Sequence, residues 1–378
     1  MSNTKTKQGF CEEKTKKCTY MKAVHAREER EIAQASSNDA TPSMFGWQFQ
    51  VSAAIAMMLE DLENNARIKV EGKTEDIEIT KNDGGKIYAQ SKAMVRPFAP
   101  NIDDASEYNS NSRHHLKKAI TSLVKAYNNL SAIDKEHVLG MEYVSNIQYP
   151  FGTSSNKPWR NKARYKHNEL SDVEKSLYPD KIDGLNEQFL SLLSFSVIRY
   201  EDVEDWKTQQ YEILSLVKEF LSKLQIDSSH AREYLTCMQS ICNFNAGTRK
   251  WDLSKGDFIW PAIVKKMEFS PSYFDEYEGD CILDEDDIRT SYKEVIDEFT
   301  YKLPMCLKII HEYSQYRADT NIEKERRRLF AKHYGKIIAD SELEAIPEDA
   351  RIIVGEYIVW NTIKSRNVFK NAHDKFLK

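Results

Sequence analysis

The sequence lacks several features that would assign it to a class at once. No apolar run approaches the ~18–20 residues that a membrane-spanning helix needs, because the longest candidate, Val51 to Leu59, ends at Glu60 and Asp61. The Lys-rich N-terminus has no apolar segment of the kind found in secretory signals. The six cysteines form no CxxC pair, and Cys237 and Cys242 have no further Cys or His at zinc-finger spacing. We therefore expect a reduced, cytoplasmic protein.

The chain also lacks a net positive charge. Its formal net charge is −5, so the total charge does not favour nucleic-acid binding. One segment, 157–167 (KPWRNKARYKH), is nevertheless basic, with Trp159 and Tyr165 interleaved. Its candidate nucleic-acid-binding residues are Lys157, Arg160, Lys162, Arg164 and Lys166. A single charge run is most often a solvated surface. This segment would suit contact with phosphates, but by itself it does not establish nucleic-acid binding.

The length and the composition bound the architecture. A chain of 378 residues, 40% hydrophobic and 30% charged, suits two domains or one core with a large extension. Residues 1–40 are polar without sustained periodicity, which predicts a flexible arm. Residues 41–150 mix helical and strand periods and predict one domain. Residues 151–378 are mainly of helical pattern and predict a helical domain for assembly or partner binding.

The pattern within 41–150 predicts an α/β fold with a specific element order. We expect an amphipathic helix, three short strands, a second helix and a fourth strand, at about 43–64, 67–71, 75–80, 86–92, 116–127 and 138–144. A tight turn at 72–73 and a loop at about 96–110 separate these elements. Three antiparallel strands followed by a helix that crosses to a fourth strand predict an α/β sandwich of αβββαβ order.

Beyond residue 150 the apolar spacing predicts helices at about 206–224, 231–242, 287–313, 323–336 and 351–376. Pro304 predicts a kink or a break in the third of these. The run 195–200 (FSVIRY) is strand-like, and would either join the core sheet or cover it.

The hairpin at 75–92 carries the candidate chemistry. Gln90 and Lys92 are two positions apart on a strand, so their side chains share one face of the sheet. Asp76 begins the partner strand. Whether Asp76 meets the other two depends on the register of the turn.

The turn sequence favours one register over another. A two-residue turn at 83–84 would place Asp76 opposite Ser91, on the wrong face. A three-residue turn at 83–85 would place it opposite Lys92, with the second glycine supplying the positive φ. We predict the three-residue register or an equivalent bulge.

These residue types suit hydrolysis of a phosphodiester bond. Asp76 would bind Mg²⁺ (or Mn²⁺), with the Ser91 carbonyl and the Gln90 side-chain oxygen completing the protein ligands. Lys92 would orient the attacking water and stabilise the negative charge that develops on the phosphate. Glu71 is a further candidate ligand or base.

The motifs resemble a known nuclease superfamily. A strand-borne Asp followed by Gln90-Ser91-Lys92 looks like a QxK variant of the PD-(D/E)xK superfamily. The nearer match combines 46–50 (GWQFQ), 71–77 (EGKTEDI) and 89–92 (AQSK). Together they resemble the double-strand DNA endonuclease domain of bacterial anti-phage effectors, which act with cyclic-oligonucleotide signalling or assemble with HerA-type ATPases. The resemblance covers about 41–150.

The resemblance implies a restriction-endonuclease-like core and metal-dependent cutting of double-stranded DNA during infection. It implies a catalytic trio of Asp76, Gln90 and Lys92 with a supporting amide at Gln50. The expected partners are DNA, a HerA-type ATPase or another operon-encoded protein, and further copies of the chain, with no membrane. Gln90 stands where many relatives have an acid, which weakens metal affinity in principle.

Two other functions remain open on the sequence. The chain could be a non-catalytic scaffold subunit that keeps the nuclease fold and binds nucleic acid or an ATPase, or it could cut RNA. His114 and His115 are adjacent on a helix and point about 100° apart, so we expect them at the surface rather than on a shared metal.

Overall fold

A mixed β-sheet lies at the centre of the computed structural model. The structure describes residues 41–71, 75–95, 105–147, 164–170, 182–200, 209–248, 252–268, 285–300 and 302–377. Residues 48–378 group into one compact unit and residues 1–47 into another. Three predicted features lie outside the described residues, namely the arm at 1–40, the turn at 72–73 and the basic residues at 157–163.

Seven strands form the sheet within the described ranges. They are β1 (Asn65–Val70), β2 (Ile77–Lys81), β3 (Lys86–Lys92), β4 (Val138–Ser145), β5 (Arg164–Lys166), β6 (Leu193–Val197) and β7 (Leu253–Ser254). Their order across the sheet is β5-β6-β4-β3-β2-β1-β7. Strands β1, β2 and β3 form an antiparallel meander, β4 and β6 run parallel to β3, and β5 and β7 close the edges antiparallel.

Helices surround this sheet and make up most of the chain beyond it. They are α1 (Thr41–Glu60), α2 (Ala105–Asn129), α3 (Ala132–Glu136), α4 (Glu187–Leu192), α5 (Tyr211–Lys223), α6 (Ala231–Thr248), α7 (Lys255–Glu268), α8 (Glu285–Thr300), α9 (Leu303–Gln315), α10 (Glu323–Glu342), α11 (Glu348–Lys364) and α12 (Arg366–Ala372). No helix in the described ranges is long and apolar enough to cross a membrane.

The predicted mixed α/β class and the mainly helical C-terminal region are confirmed. Helix α1, strands β1 to β3, helix α2 and strand β4 follow one another along the chain, with the short helix α3 before β4. Helix α2 begins at Ala105, inside the loop expected at 96–110. The run at 195–200 joins the sheet as β6, and β5 and β7 also come from beyond residue 150.

Helix α1 is buried on all sides over 49–59, whereas an amphipathic helix was expected. Three alanines in this stretch leave room for close neighbours. Gln239 of α6 reaches the helix and donates from Nε2 to Ser52 Oγ at 3.2 Å. A helix that is apolar all round belongs to the interior, so the polar positions of α1 here face protein rather than water.

Helix α2 covers one face of the sheet. Its apolar stripe is the one that the sequence predicts, and its members are all at most 2% exposed: Leu116, Ile120, Leu123, Val124 and Tyr127. They share one core with side chains of β3, β4 and β6, including Tyr88, Tyr143 and Phe195. This packing fixes the strand that carries Gln90 and Lys92.

The C-terminal helices include a break and a close contact. Helix α8 ends at Thr300, and α9 starts at Leu303 with Pro304 in its first turn, so the proline begins a new helix. Helices α10 and α11 approach closely at Gly335 and Gly355. A Cβ added at Gly335 would lie 2.6 Å from the backbone of Glu356.

Candidate functional site

The β2–β3 hairpin sets the geometry of the site. Thr80 lies opposite Lys86 and Ile77 opposite Ala89. Lys81 N donates to Gly85 O at 2.7 Å and closes a three-residue turn at 82–84. Continued by one step, this register brings Asp76 level with Gln90.

The predicted register, with Asp76 opposite Lys92, is therefore wrong by two residues. The positive φ falls at Gly84 (86°) rather than at Gly85. Gly85 lies under the Leu139 side chain, since a Cβ added there would lie 2.3 Å from Leu139 Cδ1, which is exposed and able to move. A shift of two residues preserves the face of a strand, so Asp76 still lies on the side of Gln90 and Lys92.

The three residues of the predicted trio meet at the carboxylate of Asp76. Its Oδ2 accepts a hydrogen bond from Gln90 Nε2 and another from the backbone N–H of Ser91 at 3.0 Å. Lys92 Nζ lies 3.6 Å from the same oxygen. Gln90 and Ser91 thus donate to the carboxylate, whereas the sequence assigned them oxygens directed at a metal.

Gln50 and Glu71 contact the backbone of Asp76 and each other. Gln50 Nε2 donates to Glu71 Oε1 at 2.8 Å and to the carbonyl oxygen of Asp76 at 3.2 Å. Glu71 N donates to the same carbonyl at 2.8 Å. Glu71 has a φ of 55°, a left-handed conformation that is uncommon outside glycine and that often occurs at functional sites. The five predicted catalytic residues, Gln50, Glu71, Asp76, Gln90 and Lys92, therefore form one connected set.

The electrostatics of Asp76 reflect its partial burial. Loss of hydration raises the pKa of the Asp76 carboxyl above its ordinary value, although Lys92 and the Ser91 N–H act to lower it. About a fifth (21%) of its side chain is exposed, and 29% of the Lys92 side chain. A cation bound beside this carboxyl would act in the same direction as Lys92 and lower the pKa of Asp76.

Glu75 is an acid beside the site that sequence reasoning missed. Only 5% of this residue is exposed. Ser122 Oγ on α2 donates to its Oε1 at 3.2 Å. Burial, and then the neighbouring Asp76, raise the pKa of Glu75 to about 8. No sequence signal marked this, because burial here depends on α2.

His115 also differs from expectation. His114 is exposed as predicted, but His115 is half-buried. Burial lowers the pKa of His115, with smaller contributions from the charges of His114 and Lys92. The ring centroids of the two histidines are 6.3 Å apart.

The last residue of β4 and the residue after it hold the end of β3. Ser145 Oγ donates to the carbonyl oxygen of Lys92 at 2.7 Å. Asn146, 1% exposed, accepts from Met94 N at 2.9 Å and donates to Met94 O at 2.7 Å and to Tyr200 O at 2.8 Å. These bonds fix the backbone that presents Lys92, and the sequence analysis did not single them out.

In the described part of the basic segment, Arg164 is paired with acidic side chains. Arg164 Nη2 lies 2.9 Å from Glu142 Oε1 and 3.4 Å from Glu60 Oε2. Glu142 is 2% exposed and is the main cause of the raised pKa of Arg164. Although 44% of the Arg164 side chain is exposed, its guanidinium compensates a buried acid, unlike a DNA contact. Lys166 is exposed on β5.

The donor set can be compared with the needs of Mg²⁺. No three His, Cys, Asp or Glu side chains in the described ranges form a metal-binding group. Oxygen donors are nevertheless available from Asp76, Glu71 and, after rotation of its amide, Gln90. Mg²⁺ prefers oxygen ligands and keeps several waters, so two carboxylates and an amide fit it with few protein charges.

Comparison with protein-family models, with curated proteins and with solved structures found no match for this chain.

Proposed function

We propose that this chain is a metal-dependent endodeoxyribonuclease with a restriction-endonuclease-like core. The observation that carries the proposal is the convergence of Gln90, Ser91 and Lys92 on one oxygen of Asp76 at the end of β3. An acid, an amide and a lysine at the partly exposed end of two strands suit a phosphodiester substrate.

Each residue has a separable role in this proposal. Lys92 stabilises the negative charge that accumulates on the phosphate and orients the attacking water. The Ser91 N–H fixes the Asp76 carboxylate, and Gln50 fixes Glu71. Mg²⁺ or Mn²⁺, held by oxygens of Asp76, Glu71 and Gln90, would polarise the phosphate and lower the pKa of water.

The biological setting is proposed from the sequence resemblance of 46–50, 71–77 and 89–92. We propose that the chain is the effector of a bacterial anti-phage defence system, controlled by oligomerisation or by a partner ATPase. From α7 onwards the described chain is helical, which suits assembly. That resemblance also motivates double-stranded DNA as the substrate.

Cleavage of supercoiled plasmid tests the activity. Purified protein with Mg²⁺ or Mn²⁺ should nick or linearise the plasmid, and EDTA should abolish cutting. Lys92→Ala and Asp76→Ala should lower the rate by about 100-fold or more, as loss of a charge-stabilising group does. Lys86→Ala on the same strand is the matched control and should retain activity. Cutting that survives Asp76→Ala would refute the catalytic assignment.

A scaffold subunit is the second candidate, and the lack of a three-acid metal group in the described ranges favours it. Under that function the wild type cuts neither plasmid nor labelled RNA, even with the operon-encoded partner present, yet binds DNA in EDTA. Cutting of labelled RNA with DNA left intact would instead assign a ribonuclease.

A further inference from the structure

A basic groove lies between helices α5 and α6. Its cavity volume is about 690 Å³, within the ~300–1,000 Å³ of typical ligand sites. Arg199, Lys218 and Arg232 line it with three positive charges. Asp227 is the one acid among the lining residues, and Glu212 of α5 lies beside Arg199, so the three cations face two acids.

The acid in the lining is directed at its own backbone. Asp227 Oδ1 accepts a hydrogen bond from Ser229 N at 2.9 Å. This bond is the first cause of the lowered pKa of Asp227. The carboxylate therefore caps the turn before α6.

One face of α5 supplies an aromatic ring and polar groups along the groove. Tyr211, Ser215 and Lys218 are four and then three positions apart, so they lie on one side of the helix. Tyr211 and Lys218 are roughly 10 Å apart along the helix axis. The Tyr211 side chain is a large exposed apolar surface, with 63% of the residue accessible.

The groove begins at the same end of the sheet as the candidate catalytic trio. Lys92 pairs with Ser145 on β4, and Ser145 pairs with Val197 on β6. Two strand spacings therefore separate Lys92 from Val197, roughly 10 Å. Arg199 follows two residues after Val197, and its N–H donates to Glu212 of α5 at 2.6 Å. This bond ties the start of the groove to the strand end.

We propose that this groove binds the sugar-phosphate backbone of a nucleic-acid strand that extends from the catalytic trio, with Tyr211 stacked on a base. The inference rests on the proposed function for the identity of the ligand. Positive grooves with an exposed aromatic residue are the common way in which proteins hold a strand without reading its sequence. Phosphate contacts of this kind make binding dependent on salt.

Binding in EDTA tests the groove without cleavage. Fluorescence anisotropy of labelled single-stranded and duplex DNA would be measured over a salt series for the wild type, Lys218→Glu with Arg232→Glu, and Tyr211→Ala. The charge variant should bind at least about tenfold more weakly and lose about 1.4–1.8 from the salt slope, as expected for two phosphate contacts. Tyr211→Ala should weaken binding about five- to 100-fold at an unchanged slope.

A matched charge reversal on α9 and just after it, Lys308→Glu with Arg317→Glu, should leave affinity within about threefold. The milder pair Lys218→Gln with Arg232→Gln replaces the charge reversals if thermal melting shows that they unfold the chain. Deoxyadenosine monophosphate as a competitor separates a strand site from a site for a small phosphate.

Equal losses in the groove and control variants would overturn the proposal, as would loss of nucleotide binding with DNA affinity unchanged. These outcomes differ from failure of the nuclease. If the wild-type protein cuts nothing but binds DNA through the groove, the groove proposal stands and the nuclease proposal fails. If the protein cuts DNA but the groove variants bind it as well as the wild type, the nuclease proposal stands and the groove proposal fails.

Discussion

At the scale of single residues, the surroundings of an acidic side chain determine its partners and its pKa. Asp76 and Glu75 are neighbours in sequence but have different partners. Asp76 lies beside Lys92, whereas Glu75 accepts a hydrogen bond from the hydroxyl of Ser122. Glu75 has no described cation at ion-pair distance. The pair thus places two acids of different ionisation behaviour beside one site.

The buried carboxyl of Glu75 should make stability depend on pH. Its pKa is raised from 4.5 to about 8 in the folded state. Between these values the folded chain holds a proton that the unfolded chain releases, so stability falls as pH rises through this window. Relative to Glu75→Gln, the wild type should lose up to about 1.4 kcal/mol in the free energy of unfolding per pH unit. Urea denaturation from pH 5 to 8 measures this.

Glu63→Gln is the control for that series, because Glu63 is exposed in the turn before β1. Its stability should follow the wild type at every pH. If the curves of Glu75→Gln and wild type run parallel, the carboxyl is ionised at neutral pH despite its burial.

Contacts between residues that are close in the chain were predictable from the sequence, but contacts with residues distant in the chain were not. Asp76, Gln90 and Lys92 could be brought together because their hairpin is local, and strand alternation fixes the face. The pairing of Arg164 with Glu142 was not predictable, since Glu142 is 22 positions away on another strand. The burial of Glu75 was missed for the same reason, since it depends on α2.

At the scale of elements, the β2–β3 hairpin shows that local sequence patterns predict the bounds of a strand better than its register. The bounds of β3, 86–92, agree with the expected ones because alternation and the Asn-Asp-Gly-Gly turn both mark them. The register does not agree, because either glycine can take a positive φ. The positive φ is at Gly84 in the structure.

The side chain of Asn146 should contribute more to stability than its size suggests. Three hydrogen bonds from this buried amide join the segments after β3 and β6. Asn146→Ala leaves buried backbone groups without partners, so we expect a loss of about 3 kcal/mol in the free energy of unfolding. Chemical denaturation measures it. Asn64→Ala, which removes an exposed bond to Asp61, should cost less than about 1 kcal/mol; comparable losses in the two variants would contradict the prediction.

At the scale of the whole molecule, the sheet and the helical region are more closely integrated than a division near residue 150 suggests. Strands β5, β6 and β7 come from the later part of the chain, and Gln239 of α6 bonds to Ser52 of α1. The sequence indicated only the strand at 195–200, because β5 and β7, with three and two residues, leave little periodic signal.

The close approach of α10 and α11 predicts an unusual response to alanine. Gly→Ala within an exposed helix usually stabilises by up to about 1 kcal/mol. At Gly335 the added Cβ would meet the backbone of Glu356 at 2.6 Å, so we expect a loss of about 1–3 kcal/mol instead. Gly46→Ala in α1 is the control, since the added Cβ there meets no described atom within 4 Å. Thermal melts of both variants would show opposite shifts; a stabilised Gly335→Ala would mean that the helices separate easily.

The edge strand β7 has a consequence for the timing of synthesis. It pairs with β1 although it comes from residues 253 and 254, long after the catalytic strand has left the ribosome. Chains grow at roughly 5–20 residues per second, so the ~160 residues after Lys92 take roughly 10–30 s to make. During that interval β1 has no β7 to pair with, because β7 is the last strand of the sheet to be synthesised.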